Sequence, residues 1–342
     1  MPLLQLSHVS IGYPALKRPY IVQSDLTLTA NEGELIALIG KNGCGKSTLL
    51  RSIASLQPIY HGEVQLNGQN LSEITPKKRA RLLSVVLTGQ QSVASFNVRE
   101  LISIGRDPYT GWLGSLTDDD NQIISRAIEM TYLQGFEERN IHELSDGERQ
   151  RVFIARALAQ DTPVILLDEP TSHLDLPNRI NILLLLQKLA RETGKTIFIS
   201  THELETAMQV ADKLWLMDKE KGVTVGVPED MVLNGSFDTV FRHPSYEFDK
   251  AFGSFIVLKK LDKTIATRVQ HPNGLMARWT TKALSRKGYR ITSDAALELF
   301  VDEENLSWVI RKGELSVVTH SIEEALLKIA DLYPVDNYPV SP

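Results

Sequence analysis

The sequence has a single cysteine, Cys44, in 342 residues, so no internal disulfide can form and the framework reads as one built for a reducing compartment. It has no basic excess either. Its 37 Lys and Arg against 42 Asp and Glu leave a formal charge of −5, where a general nucleic-acid binder carries a strong positive balance. Long apolar stretches are missing. The longest aliphatic run, from Ile182 to Leu186, falls far short of the roughly 20 residues that span a bilayer. The opening Met1-Pro2-Leu3-Leu4 lacks the charged and apolar regions of a signal peptide, so an intracellular, soluble chain is expected. No internal repeat or low-complexity tract is visible. What is present is an ordinary globular balance, 42% hydrophobic and 23% charged, which supplies a core and excludes wholesale disorder. At about 150 residues per domain the length suggests two domains.

Local patterning divides the chain. Leu4 to Val9 and Leu26 to Thr29 alternate in the manner of strands with one wet face, whereas Leu35 to Ile39 is continuously apolar, as in a strand covered on both sides. From about residue 98 to residue 160 the pattern is helical; Ile123, Ile124, Ala127 and Ile128 share one face of a helix capped by Thr117. Two buried strands at 164–167 and 196–200 flank a helix expected over 178–192, the alternation of a parallel α/β domain. The stretch 227–254 lacks periodicity and is the expected boundary, giving domains at 1–245 (helical subdomain about 92–160) and 255–342. Beyond it, short strands accompany helices at 275–287 and 322–332, the first with Leu275, Met276, Trp279 and Ala283 on its expected packing face.

The sharpest motif is Gly40-Lys41-Asn42-Gly43-Cys44-Gly45-Lys46-Ser47-Thr48, a full match to GxxxxGK[ST] between a buried strand and a helix. The glycines let backbone N–H groups curl around phosphate oxygens, and the helix N-terminus adds positive potential. Lys46 would reach the outer phosphates and Ser47 would coordinate Mg²⁺. The bland alternative is a glycine turn, but the strand and helix around it are the context a phosphate loop requires. The second element is Val164-Ile165-Leu166-Leu167-Asp168-Glu169. Asp168, ending a buried strand, would hold Mg²⁺, and Glu169 would polarise an attacking water. Alone this is just a strand entering a turn; together with a phosphate loop it points to nucleotide hydrolysis.

These residues resemble the ATPase subunits of ABC transporters over about residues 3–235. The resemblance rests most on Leu144-Ser145-Asp146-Gly147-Glu148-Arg149-Gln150, similar to the family signature LSGGQ but with Asp146 for glycine and Glu148 for glutamine. It implies that Ser145, Gly147 and Glu148 face ATP held by the phosphate loop of an opposite subunit. A carboxylate about 4 Å from a phosphate costs a few kcal/mol, so Asp146 is expected to point away. Ser172-His173-Leu174-Asp175 resembles the D-loop, His202 the switch histidine that contacts the γ-phosphate, and Tyr13 the aromatic that stacks on adenine. The nucleotide set is then Tyr13, Gly40, Asn42, Gly43, Gly45, Lys46, Ser47, Thr48 and Asp168, with Glu169 and His202 catalytic. The Q-loop fits badly: the register puts Thr88 where glutamine belongs, and Gln90, chosen here, or Gln91 would substitute. Bare histidines and tyrosines at such places are commonly structural, and the basic run from Lys77 to Arg81 reads as a solvated helix face.

The family implies an α/β fold: a P-loop ABC ATPase core with antiparallel β and helical subdomains, plus a small C-terminal α/β accessory domain. The stretch Val98-Arg99-Glu100-Leu101-Ile102-Ser103-Ile104-Gly105-Arg106-Asp107-Pro108-Tyr109 resembles the branch that imports ferric siderophores, haem or cobalamin. The implied cofactors are ATP and Mg. The implied partners are integral-membrane permease subunits, a second copy of the chain with ATP sandwiched between, and indirectly a periplasmic or surface substrate-binding protein, with no nucleic acid. Such a subunit sits peripherally on the cytoplasmic face of the cell inner membrane. Two rivals share the motifs: a soluble ABC ATPase not coupled to transport, and a regulatory ligand-binding ABC protein.

Overall fold

The computed structural model describes residues 2–16, 18–87, 96–111, 114–258, 263–269 and 274–333. Its contacts divide the chain into two units, one comprising residues up to Arg242 with Phe248–Ser254, the other His243–Glu247 with the residues from Phe255 onward.

The first unit is organised by a six-stranded sheet in the order Gly222–Gly226, Lys213–Asp218, Leu35–Gly40, Thr196–Ser200, Val164–Asp168, Leu83–Val86. The first pair is antiparallel and the other pairings are parallel. Every residue of the three central strands is buried, as their mainly apolar composition leads one to expect of strands covered on both faces, the polar Asp168, Thr196 and Ser200 standing at strand ends. A second, antiparallel sheet runs Tyr20–Ala30, Leu4–Tyr13, Ile59–Leu66, Gln69–Asn70. The helix Lys46–Ile53 packs on Leu4–Tyr13, Val164–Asp168 and Thr196–Ser200, and one hydrophobic cluster joins Leu4 and Leu6 to Ile36, Leu38, Phe198 and Trp215.

The stretch read as helical from about residue 98 is broken into pieces. Val98–Ser103, Asp118–Met130 and Asp146–Ala159 pack together. Each begins at a capping box, on Asn97, Thr117 and Ser145 respectively, so each start is fixed by two reciprocal side-chain to backbone bonds. The helix expected over 178–192 runs Leu176–Thr193, because Asp175 caps it and a proline fits its first turn. The aperiodic stretch after residue 227 contains two short helices, Pro228–Leu233 and Ser236–Val240.

The second unit holds a five-stranded sheet ordered Tyr289–Thr292, Lys263–Val269, Glu298–Asp302, Ser307–Lys312, Leu315–Thr319, parallel in its first two pairings and antiparallel in the rest. Helices Leu275–Arg286 and Ile322–Leu332 pack on this sheet and on each other. The core gathers Ile265, Leu284, Leu299, Val301, Ile310 and Ile329. Trp308 is buried there, its indole N–H donating to Thr280 Oγ1 at 2.7 Å. The packing face of the first helix matches the expected one at Met276, which packs partly buried on the core, and at Ala283, and departs from it at Leu275 and Trp279. Ala277, Thr280, Ala283 and Leu284 are buried, while Leu275 and Trp279 are exposed, with Lys282 lying over the indole at 5.0 Å. The small residues and the threonine let the helix approach the sheet and reach Trp308, which rotates the bulky apolar pair outward. Among the described residues no helix is long and apolar enough to cross a membrane.

Candidate nucleotide site

The three central strands end at one edge of the sheet, and their last residues carry the candidate chemistry. Leu35–Gly40 leads into the glycine loop, Val164–Asp168 ends on the first acid, and Thr196–Ser200 precedes His202. Parallel pairing in register brings Asp168 beside Ser200 and Ser200 beside Leu38, so residues far apart in sequence converge where α/β sheets bind ligands.

The loop is shaped by its glycines. Gly45 caps the following helix at φ 108, and a Cβ there would lie 2.9 Å from Val22. Gly40 is constrained differently, since a Cβ would meet the Met217 carbonyl oxygen at 2.3 Å. Lys46 is buried, and its ammonium donates to the Gly40 carbonyl at 2.8 Å, folded across the mouth of the loop. Asn42 and Gly43 are exposed at the tip, and Ser47 is half-buried. Tyr13 ends its strand with its hydroxyl 2.8 Å from Thr48 Oγ1, which sets a half-exposed ring beside the loop. Burial pushes the Cys44 thiol up from its ordinary pKa, so this cysteine packs as an apolar residue.

The two acids are joined by a residue that sequence reading passed over. Ser200 Oγ donates to Asp168 Oδ1 at 2.7 Å and accepts from the Glu169 amide at 2.9 Å. Arg51 stands 3.6 Å from the other oxygen of Asp168. Glu169 has φ 48, a left-handed backbone that a non-glycine residue adopts at a cost, and its carboxylate lies 2.8 Å from His202 Nε2. Ser200 thus holds the strained turn that aims Glu169. Ser200→Ala is expected to lower kcat about ten-fold or more, with a smaller rise in KM, because both hydrogen bonds of Ser200, to Asp168 and from the Glu169 amide, are lost at about 1–3 kcal/mol each while Lys46 and the glycine loop keep their contacts; steady-state kinetics checks the split. Gln23 was also missed. Buried on an antiparallel strand, its amide donates to the Cys44 carbonyl at 3.0 Å and to the Asp218 carbonyl at 2.7 Å, tying the loop to the neighbouring strand.

The signature residues form a second group. Ser145 caps the helix Asp146–Ala159, and the Glu148 carboxylate accepts from both the Ser145 amide, at 2.8 Å, and the Ser145 hydroxyl, at 2.7 Å. Asp146 is held by Arg149 at 3.1 Å. Gly147 is buried, and a Cβ there would lie 2.9 Å from Asn178 Oδ1. Asp175 caps the helix that carries Asn178, accepting from the Asn178 amide at 3.1 Å. The start of the signature helix and the start of the D-loop helix are therefore packed together. The Q-loop candidates Thr88, Gln90 and Gln91 lie outside the described residues. Of the branch-specific stretch, Arg106 proves internal: it is buried against Asp120 at 2.7 Å.

Comparison with known proteins agrees with this geometry. Residues 23–172 match the ABC transporter family, and residues 271–330 match the iron ABC transporter C-terminal domain. An ABC transporter ATP-binding protein of Methanocaldococcus jannaschii is 38% identical over 256 residues, 74% of this chain and 86% of its own. The petrobactin import ATP-binding protein FpuD of Bacillus anthracis is 38% identical over 222 residues, 65% of this chain and 81% of its own. Among solved structures, an ABC transporter assigned to the metal-chelate type and captured facing inward superposes with a TM-score of 0.63 at 26% identity, over 76% of this chain and 99% of its own. The ATP-binding cassette MJ0796, solved as a dimer in a post-hydrolysis state with ADP and phosphate, superposes with a TM-score of 0.57 at 26% identity, over 66% of this chain and 98% of its own. This chain belongs to the ATP-binding subunits of ABC transporters, the ATPases that couple nucleotide hydrolysis to transport.

Proposed function

We propose that the chain is the ATP-hydrolysing subunit of an importer for a ferric siderophore, working as a pair of copies beneath integral-membrane permease subunits. The observation that carries the substrate class is the joining, in one chain, of an ABC cassette and a match to the iron ABC transporter C-terminal domain. The siderophore named for the FpuD relative points the same way, ahead of haem or cobalamin. The cassette dimer with ADP and phosphate supports the pairing of two copies. With no membrane-crossing helix among the described residues, attachment at the cytoplasmic face falls to the permease. Residues 255–342 are an accessory domain without part in the hydrolytic chemistry.

In this reading the loop amides at 40–48 and the Lys46 ammonium, released from the Gly40 carbonyl, bind the ATP phosphates, and Tyr13 packs on the base. Mg²⁺ suits the donors present, since the Ser47 hydroxyl and Asp168 carboxylate are hard oxygens beside the loop; when bound it would neutralise phosphate charge. Glu169 takes a proton from the attacking water, and His202, 2.8 Å from it, fixes its orientation and reaches the γ-phosphate. Ser145 and Gly147 of each copy complete the other copy's site, and closure of the pair drives the permease by its differential affinity for ATP.

A strain lacking this chain is expected to lose uptake of radioiron supplied as a ferric siderophore, with recovery on expressing wild-type chain and none with Lys46→Ala. Undiminished ferric-siderophore uptake together with lost cobalamin uptake would transfer the assignment to cobalamin.

A further inference from the structure

Ser145 carries one hydroxyl proton, and in this structure it is already engaged. The hydroxyl donates to Glu148 Oε2 at 2.7 Å while accepting from the Glu148 amide at 3.3 Å. A hydroxyl has a single donor, so a serine bonded in this way has none to give to a phosphate oxygen. The same carboxylate oxygen accepts from the Ser145 amide, so two donors at the start of the helix converge on one anion. These bonds from Ser145 hold the Glu148 carboxyl below its ordinary pKa, which keeps it ionised at neutral pH. Asp146 places a second carboxylate in the first turn, so the positive end of the helix dipole is already compensated.

We propose that Glu148 is a positioning residue that withholds Ser145 from the ATP of the opposite subunit. Its carboxylate takes the proton donor and the helix end that a γ-phosphate needs, and the pair of copies closes only when that carboxylate turns aside. This rests on the reading of Ser145 as facing the partner's nucleotide. It makes closure on ATP intrinsically weak, so that hydrolysis waits on a further push toward the closed pair. A glutamine at this position keeps the cap, since its amide oxygen accepts from the Ser145 N–H, but it brings no charge and binds the hydroxyl less strongly.

The test is the ATP-driven dimer of the full chain, followed by sedimentation in a Glu169→Gln background with Mg-ATP. Adding Glu148→Gln is expected to tighten the dimer about ten-fold for each of its two sites, the factor one charge-assisted hydrogen bond sets. The gain should shrink as salt is raised. An unchanged or weaker dimer overturns the proposal, as does a chain that stays monomeric with Mg-ATP in both forms. Ser145→Ala separates this proposal from the reading beneath it. If Ser145→Ala, added to Glu148→Gln, leaves the ATP dimer of Glu148→Gln as it was, Ser145 does not face the nucleotide and the underlying reading fails. If Ser145→Ala weakens the dimer but Glu148→Gln fails to strengthen it, only the withholding role fails. If Glu148→Gln strengthens the dimer and Ser145→Ala erases that gain, both stand.

Discussion

Glu169→Gln is expected to cut steady-state ATP hydrolysis about 10²–10⁴-fold while ATP binding is preserved, the range a general base commonly supplies. The substitution is nearly isosteric, so it keeps the left-handed turn at φ 48 and the amide bond to Ser200, both of which belong to the backbone. It also keeps an oxygen 2.8 Å from the ring of His202. What it removes is the capacity to accept a proton from water. Lys46, the glycine loop and Tyr13 are untouched, so the affinity for a fluorescent ATP analogue should stay within a few-fold of wild type. Turnover within a few-fold of wild type would move the base elsewhere. A matching drop after His202→Ala, with no further drop when both residues are replaced, would confirm that the pair acts together, as residues acting as one unit lose function non-additively.

How much of this was legible beforehand depended on whether the relevant physics was local. The phosphate loop is local: nine consecutive residues carry the glycines, the lysine and the hydroxyls, and the flanking strand and helix follow from simple periodicity. The Thr117 cap was also readable, because a capping box needs only four residues. Asp168 and Glu169 could be placed at the end of a buried strand from four apolar residues in a row. Ser200 could not be assigned its task in the same way. Its importance comes from in-register pairing with Asp168 across two parallel strands, a contact 32 residues apart in sequence. The Gln23 bridge to Asp218 spans 195 residues and leaves no local signal at all. The first helix of the second unit shows a converse failure. Of Leu275, Met276, Trp279 and Ala283, expected as the packing face, Met276 and Ala283 do pack, whereas close approach to the sheet turns Leu275 and Trp279 outward in favour of Ala277 and of Thr280, which accepts from Trp308.

The same distinction governs Arg106, read from sequence as part of a branch-specific stretch and found to be a structural anchor. Its guanidinium is buried, bonded to Asp120 Oδ1 at 2.7 Å and to the Ala159 carbonyl at 2.9 Å, and it lies 4.0 Å from the centre of the Tyr109 ring. Asp120 in turn accepts from the amide and hydroxyl of Thr117, at 3.0 and 2.7 Å, so one ion pair links the start of Asp118–Met130 to the end of Asp146–Ala159. Arg106→Met is expected to destabilise the first unit by about 3–5 kcal/mol, the cost of leaving a buried charge without its partner. Replacing both members, Arg106→Met with Asp120→Asn, removes the uncompensated charge while the asparagine oxygen still serves the cap. The double variant should therefore be more stable than Arg106→Met alone, and chemical denaturation of the three proteins measures the difference. Acid provides an independent check. The Thr117 bonds first, and then Arg106, depress the Asp120 carboxyl from an ordinary 3.8 to about 2. A depressed carboxyl contributes stability that is present above its unfolded value and lost as pH falls through its folded one. Wild type should thus lose this contribution between about pH 4 and pH 2, and a double variant without the carboxyl should show no matching loss there. A double variant no more stable than Arg106→Met would instead mean that the Thr117 bonds alone satisfy the Asp120 carboxylate, and that whatever Arg106→Met costs comes from the lost Ala159 and Tyr109 contacts.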